Sequence, residues 1–158
     1  MKKIAIMLVV AFSVYFVVMR PSTMPEAELV VFSDQQKSDA VKAVGGYCDD
    51  EKCLTIYVAP WCGACRRAHT MILSLVDQLE AEGVRADVVL GMDDTEALVE
   101  YAKTFPFSVT FDEKGQYFNQ LSARGVPYFA ATNEYGKVMN SRSGASNSVV
   151  QMRKVLDL

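Results

Sequence analysis

The sequence contains little cysteine and no excess of basic charge. Four cysteines in 158 residues are too few for a disulfide-rich scaffold or for a zinc module with two metal centres. The 16 lysines and arginines are outnumbered by 19 aspartates and glutamates, which excludes a generally basic nucleic-acid-binding protein. Hydrophobic residues make up 51% of the chain and charged residues 22%, which excludes global disorder. The length suits one domain of ordinary size.

Charge and hydropathy are distributed unevenly along the chain. Residues 1–20 contain three basic side chains and no acidic one, so the remaining part of the chain has a larger acidic excess than the average suggests. Within this segment, Ile4 to Met19 is an apolar run with only two side chains that carry polar atoms. The run is longer than a signal-peptide core and shorter than a typical membrane span of roughly 20 residues. The sequence therefore predicts a membrane-targeting segment at the N-terminus.

The flanks of the apolar run favour an uncleaved signal anchor over a removed signal peptide. The run ends in Val-Val-Met-Arg-Pro, which lacks the small residues of a cleavage site. Two lysines precede the run and one arginine follows it, so the positive-inside rule places the N-terminus in the cytoplasm. We therefore expect an anchor over residues 1–20, a tether over residues 21–28 and a domain over residues 29–158. The anchor would cross a bacterial inner membrane once and place the domain in the periplasm.

Strand and helix patterns alternate through the predicted domain. The run from Cys53 to Ala59 is apolar and rich in β-branched residues, which predicts a central strand buried on both faces. Apolar residues three and four apart predict a long amphipathic helix from about Cys62 to Glu82. The other predicted elements are a strand at 29–32, a helix at 33–44, a strand at 84–90, a helix at 95–103, an extended piece at 109–111, a short helix before 122, a hairpin at 128–140 and a final helix capped by Ser146. This order predicts an α/β fold with a mixed sheet and helices on both faces.

The sharpest chemical signal is the segment Trp-Cys-Gly-Ala-Cys, which contains Cys62 and Cys65. The segment lies between the buried strand and the long helix, so Cys62 is predicted at a helix N-terminus. Unpaired N–H groups and the helix dipole favour a thiolate there, and a thiolate is the nucleophile of thiol–disulfide exchange. Two intervening residues allow Cys65 to attack a mixed disulfide on Cys62. Arg66 and Arg67 add positive charge that is expected to lower the pKa of the thiol.

Two simpler explanations of this cysteine pair are disfavoured. A zinc site would need two further ligands, but Cys48 and Cys53 have a different spacing and His69 is the only histidine. An inert disulfide is also disfavoured, because a two-residue loop at the start of a helix is strained for a structural crosslink.

With Gly125-Val126-Pro127 some 60 residues after the cysteines and a hairpin beyond it, the sequence resembles the thioredoxin superfamily. The resemblance extends over about residues 29–158 and implies a thioredoxin fold with a cis Pro127. It also implies that Val126 and Pro127 shape a substrate groove beside the cysteines. The position of Trp61 next to Cys62 favours a substrate-facing side chain in the same groove over a core residue. Among its branches, the spacing of about 34 residues between Asp93 and Pro127 is similar to membrane-tethered TlpA-like and ResA-like proteins, which exchange disulfides outside the cytoplasm.

Three positions depart from common patterns of the superfamily. Ala64 precedes the second cysteine where proline is usual, Ile56 replaces a buried aspartate, and Ala68 replaces a glutamate that many cytochrome-maturation members carry. No carboxylate that accepts a proton is therefore visible near Cys65, so water or backbone would take that role.

Cys48 and Cys53 form a second pair, which we interpret as a structural disulfide of an oxidising compartment. A second redox centre serving another protein stays open as an alternative. The intervening strand spans about 20 Å, too far for direct exchange with Cys62 in one molecule. His69 is predicted about 10 Å along the helix from Cys62, which favours a packed or surface histidine over a metal ligand.

Together these features predict a membrane-tethered, extracytoplasmic thiol–disulfide oxidoreductase in which Cys62 attacks and Cys65 resolves. It would act as a reductant on protein substrates, receive electrons from a membrane redox partner, and need no metal or organic cofactor. Two alternatives remain: a non-catalytic binding or assembly module of the same fold, and a copper-delivery protein using Cys62, Cys65 and His69.

Overall fold

The computed structural model describes residues 23–25, 28–32, 43–44, 48 and 51–158. The predicted anchor over residues 1–20 lies outside these residues. None of the helices among the described residues combines the length and the apolar composition of a membrane-spanning segment.

Seven described strands form one sheet in the order β2-β1-β5-β4-β3-β6-β7. The central β3 pairs in parallel with β4 and antiparallel with β6, and β4 pairs in parallel with β5, so the sheet is mixed as predicted. The other neighbours, β1 with β2, β1 with β5 and β6 with β7, are antiparallel. The strands are β1 Glu28–Phe32, β2 Ala43–Val44, β3 Cys53–Val58, β4 Arg85–Gly91, β5 Val109–Asp112, β6 Tyr128–Thr132 and β7 Val138–Ser143.

Three described α-helices pack against this sheet: α1 Gly63–Ala81, α2 Thr95–Ala102 and α3 Val149–Leu156. The Asp94 side chain caps α2 by accepting a hydrogen bond from the Ala97 N–H at 2.9 Å. The final helix is capped by Ser148, which accepts from the Gln151 N–H, and not by Ser146 as the sequence pattern suggested. Ser146 instead accepts a hydrogen bond from the Ser148 N–H and thereby supports the true cap from outside the helix.

The sheet has a core on each face. On one face, Leu54, Ile56 and Val58 of β3 pack with side chains from all three helices. On the other face, Tyr57 packs with residues of the segment between β5 and β6, including Tyr117. The crossovers from β3 to β4 and from β4 to β5 advance in the same direction, so right-handed connections place α1 and α2 on the same face. The predicted short helix before residue 122 is a 3-10 helix, Phe118–Gln120, and its Phe118 packs against Tyr57 on the other face. Helical segments therefore lie on both faces of the sheet, as expected, with the three α-helices together on one of them.

Two segments near the N-terminus differ from the sequence prediction. The sequence predicts the end of a helix at Ala43 and Val44, but these residues form β2 opposite Glu28 and Leu29. The rest of that predicted helix lies outside the described residues. Within the predicted tether, the Met24 N–H donates to the Gly136 carbonyl at 2.8 Å and the Met24 side chain is buried.

Candidate active site

The two cysteines of the Trp-Cys-Gly-Ala-Cys segment lie where β3 leads into α1. All six residues of β3 are buried, as predicted for a central strand. Cys62 is the N-cap of α1 and Cys65 lies in its first turn, and a disulfide joins them with 5.2 Å between their Cα atoms. The strand fixes the position of Cys62, and the helix fixes that of Cys65 relative to it. The pair is thus held at the point where a buried strand and a helix N-terminus meet.

The two sulfur atoms have different surroundings. Cys62 retains 5% of its accessible surface, whereas Cys65 is fully buried. The Cys62 Sγ accepts a hydrogen bond from the Cys65 N–H at 3.0 Å, one of the N–H groups that the helix leaves unpaired at its start. In the reduced protein the same N–H group would stabilise a thiolate on Cys62. Accessibility and hydrogen bonding both favour Cys62 as the attacking sulfur.

A cis peptide bond between Val126 and Pro127 lies opposite the disulfide, in agreement with the sequence expectation for Pro127. The Val126 carbonyl oxygen is 3.6 Å from the Cys62 Sγ. Val126 is half-buried and Pro127 is buried, and the Pro127 carbonyl accepts from the Gly144 N–H at 2.8 Å. The loop before β6 is therefore held against the cysteines, with the Val126 backbone nearest to Cys62.

Trp61 lies directly before Cys62 and exposes 55% of its surface. Its indole Nε1–H donates a hydrogen bond to the Met92 carbonyl at 2.8 Å. Met92 follows the end of β4 and has a left-handed backbone with a φ of 60°, which is uncommon for a residue other than glycine. Sequence reasoning placed Trp61 at the site but missed Met92, because nothing in the local sequence shows which carbonyl faces the indole.

The two arginines after Cys65 have different contacts. The Arg66 guanidinium donates two hydrogen bonds to the Pro60 carbonyl, at 3.0 and 2.7 Å. Arg66 therefore braces the turn between β3 and α1. The Arg67 Nη1 atom lies 3.6 Å from the position that a Cβ would occupy at Gly63, so this guanidinium lies beside the residue that follows Cys62. Both cations thus lie close to the cysteine motif.

His69 belongs to an aromatic cluster between α1 and α2. Its Nε2 atom is 3.2 Å from the Thr104 carbonyl, and its ring contacts Phe105 edge-on with 4.7 Å between the ring centroids. Within the described residues, no group of three or more His, Cys, Asp or Glu side chains is arranged to hold a metal ion. The copper alternative therefore receives no support from the contacts of His69.

Two of the departures from the superfamily pattern fall in the core. Ile56 and Ala68 are fully buried among apolar side chains. Their apolar side chains supply no carboxylate to accept a proton from Cys65. Water or backbone stays the expected proton acceptor.

Cys48 and Cys53 form a disulfide with 5.7 Å between their Cα atoms. The two residues expose only 2% and 3% of their surface. Cys53 begins β3, so this disulfide lies at the opposite end of the strand from Cys62. Its burial and position fit a structural crosslink, which remains a prediction.

Comparison with known proteins identifies the fold of the chain. No protein-family model and no curated protein matches the sequence. Among solved structures, a candidate thiol:disulfide interchange protein DsbE from Chlorobium tepidum matches with a TM-score of 0.67 and 21% identity over 85% of this chain and 94% of its own. StoA from Bacillus subtilis matches with a TM-score of 0.60 and 18% identity over 82% of this chain and 98% of its own. The thioredoxin domain of a thiol-disulfide oxidoreductase from Bacteroides vulgatus matches with a TM-score of 0.65 and 14% identity over 86% of this chain and 96% of its own. The chain therefore has the thioredoxin fold.

Proposed function

We propose that this protein is a thiol–disulfide oxidoreductase that exchanges disulfides with protein substrates through Cys62 and Cys65. The observation that carries the proposal is the disulfide at the N-terminus of α1, with Cys62 accepting the Cys65 N–H. The cis peptide before Pro127 places a backbone carbonyl beside the same sulfur. The names of the structural neighbours, which describe thiol–disulfide interchange, support the same chemistry.

The exchange proceeds in two balanced steps. In the reducing direction, the Cys62 thiolate attacks one sulfur of a substrate disulfide, and the other substrate sulfur leaves as a thiolate. The Cys65 thiol then loses its proton to water or backbone and attacks the Cys62 Sγ. The second substrate sulfur leaves as a thiolate, and the Cys62–Cys65 disulfide is formed. Two electrons pass to the substrate, and a redox partner must reduce the protein again.

Residues around the disulfide have separate roles in this proposal. Trp61 and the Val126 backbone contact the substrate on either side of Cys62, and Pro127 holds the Val126 backbone in place. The backbone N–H of Cys65 stabilises the Cys62 thiolate, and the positive charge of Arg67 acts in the same direction. No metal or organic cofactor takes part, because the two thiols carry the electrons.

We further propose that the domain is tethered to a bacterial inner membrane, faces the periplasm and acts as a reductant. The apolar run of residues 4–19 and its basic flank support the tether. Met24 contacts Gly136, in the hairpin between β6 and β7, near the end of the sheet where Thr132 pairs with Cys53. A tether entering there leaves Cys62 at the membrane-distal end of the domain. The resemblance to TlpA-like and ResA-like proteins supports the reducing direction.

Activity and reduction potential test the proposal separately. The reduced full-length chain is expected to reduce insulin with a thiol regenerant, and Cys62→Ser is expected to abolish this activity. The potential of the Cys62–Cys65 pair then gives the direction, since about −270 mV is typical of a reductant and about −120 mV of a strong oxidant. Absence of exchange in the wild-type chain would contradict the proposal and favour a non-catalytic binding module.

A further inference from the structure

Asp112 lies at the end of β5 and makes contacts that the proposed exchange does not use. It is 6% exposed, so its carboxylate is removed from water. Oδ2 accepts from the Tyr57 hydroxyl at 2.8 Å and from the Phe118 N–H at 2.9 Å, and Oδ1 accepts from the Tyr117 N–H at 3.1 Å. None of the ion pairs in the described part of the chain involves Asp112. These three donors therefore hold the buried carboxylate.

The backbone of Asp112 extends this network to the candidate active site. Its carbonyl accepts a hydrogen bond from the Met92 N–H at 3.1 Å. The Met92 carbonyl in turn accepts the Trp61 indole N–H at 2.8 Å. A continuous path of hydrogen bonds thus runs from the buried Tyr57 hydroxyl through Asp112 and Met92 to the exposed indole. We call Tyr57, Asp112 and Met92 the strut.

The space around the strut admits little movement. A Cβ at Gly91 would collide with the Tyr57 hydroxyl and would lie 2.6 Å from the Asp112 carbonyl oxygen. A Cβ at Gly115 would lie 2.9 Å from the Met92 Cγ. Glycine at these two positions allows Tyr57 to reach Asp112 and Met92 to pack over the turn after β5. The close packing holds Met92 in its left-handed conformation with its carbonyl toward Trp61.

The protonation state of Tyr57 suits its role as a donor. Burial, and next the hydrogen bond to Asp112, raise the pKa of Tyr57 far above its usual range. The hydroxyl is therefore protonated at neutral pH and can donate its hydrogen bond to Asp112.

We propose that Tyr57 and Asp112 are positioning residues that hold the Trp61 ring beside Cys62 through the Met92 carbonyl. An exposed aromatic side chain that is fixed before binding loses less conformational entropy when a substrate docks. Loss of the strut leaves the cysteines in place but lets the ring move. The effect on substrate binding rests on the proposed function, whereas the effect on the ring does not.

Two matched tyrosine variants of the full-length chain separate this role from general stability. Tyr57→Phe removes the hydroxyl that donates to Asp112, whereas Tyr117→Phe removes the hydroxyl of a tyrosine in the same core that donates to Asp112 through its backbone N–H. Trp61 is the only tryptophan of the chain, so its fluorescence reports on the ring without labelling. Acrylamide quenching and anisotropy measure its mobility, and insulin reduction gives KM and kcat.

The proposal predicts a specific pattern in these measurements. In Tyr57→Phe, loss of one hydrogen bond is expected to raise the quenching constant and to raise KM about threefold with kcat unchanged. Tyr117→Phe is expected to leave quenching and KM as in the wild type, whatever it does to the melting temperature. In a Trp61→Phe background, Tyr57→Phe is expected to change KM no further, because the strut acts through Trp61. Equal effects of the two tyrosine variants would overturn the proposal.

A second variant covers the case in which Tyr57→Phe does not fold. In Met92→Gly, the new glycine adopts the positive φ of this position readily, but the side chain that packs over Gly115 is removed. It is expected to increase Trp61 quenching, and unchanged quenching would overturn the positioning role. A wild-type chain that exchanges no disulfides would contradict the proposed function alone.

Discussion

Replacing Cys48 and Cys53 together by alanine is expected to weaken the fold and to leave disulfide exchange intact. The two residues are separated by 5 positions in sequence, so their disulfide closes a short loop in the unfolded chain. The chain-entropy relation gives about 2 kcal/mol of stabilisation for a loop of this size. Both residues are almost fully buried, so alanine also removes some apolar contact. We expect a loss of about 2 kcal/mol in the free energy of unfolding.

Urea unfolding and insulin reduction, measured on the same preparations, check both parts of this prediction. For a domain of this size the loss corresponds to a fall of about 8 °C in melting temperature. The control is Cys62→Ala combined with Cys65→Ala, which removes the other disulfide and is expected to abolish exchange. Loss of turnover in the folded Cys48/Cys53 variant would refute the structural role and make this pair a second redox centre. An unchanged free energy of unfolding would refute the loop-closure argument.

Three further outcomes follow from packing and charge. Gly91→Ala is expected to lower the free energy of unfolding, measured by urea titration, by about 3 kcal/mol, because the alanine Cβ would collide with the Tyr57 hydroxyl. A variant as stable as the wild type would contradict this close packing. Burial raises the pKa values of three tyrosines among the described residues, so absorbance near 295 nm should show these three ionising at higher pH than an exposed tyrosine. Stability should fall as the pH rises above about 10, because the unfolded state then loses tyrosine protons that the folded state keeps; ionisation of these three near the usual pKa of tyrosine would contradict this. These three are Tyr57, Tyr101 and Tyr117. Hydrogen bonds from Arg153 lower the pKa of Glu82 in the folded state. The ion pair therefore stabilises the fold above the unfolded pKa of the carboxyl, and this stabilisation is lost as the pH falls through the folded pKa. Arg153→Gln should reduce the loss of stability in acid, and an unchanged dependence of stability on pH would contradict the ion pair.

Elements with a strong local pattern could be predicted from the sequence. The spacing of apolar residues in α1 and the β-branched run of β3 depend on neighbouring residues, and the structure has both elements within a few positions of the prediction. The cysteine motif follows from the same two elements, because its place between strand and helix sets the position of Cys62. The cis bond before Pro127 was available only through the resemblance.

Features that depend on distant partners could not be predicted in this way. Ala43 and Val44 suit a helix by composition, and only their pairing with β1 makes them a strand. Two serines suit the N-cap of the last helix, and the sequence does not distinguish Ser146 from Ser148. A buried tyrosine in β3 indicates that its hydroxyl needs a partner, but only the tertiary structure shows that this partner is Asp112.

The central claim is that Cys62 attacks the substrate and Cys65 resolves the mixed disulfide. Its most direct test is mass spectrometry of reduced Cys65→Ser and Cys62→Ser chains after incubation with a peptide disulfide. The account predicts that Cys65→Ser accumulates one peptide, attached to Cys62, and that Cys62→Ser accumulates little, because Cys65 is fully buried. Equal labelling of both variants, or a peptide attached only to Cys65, would contradict it.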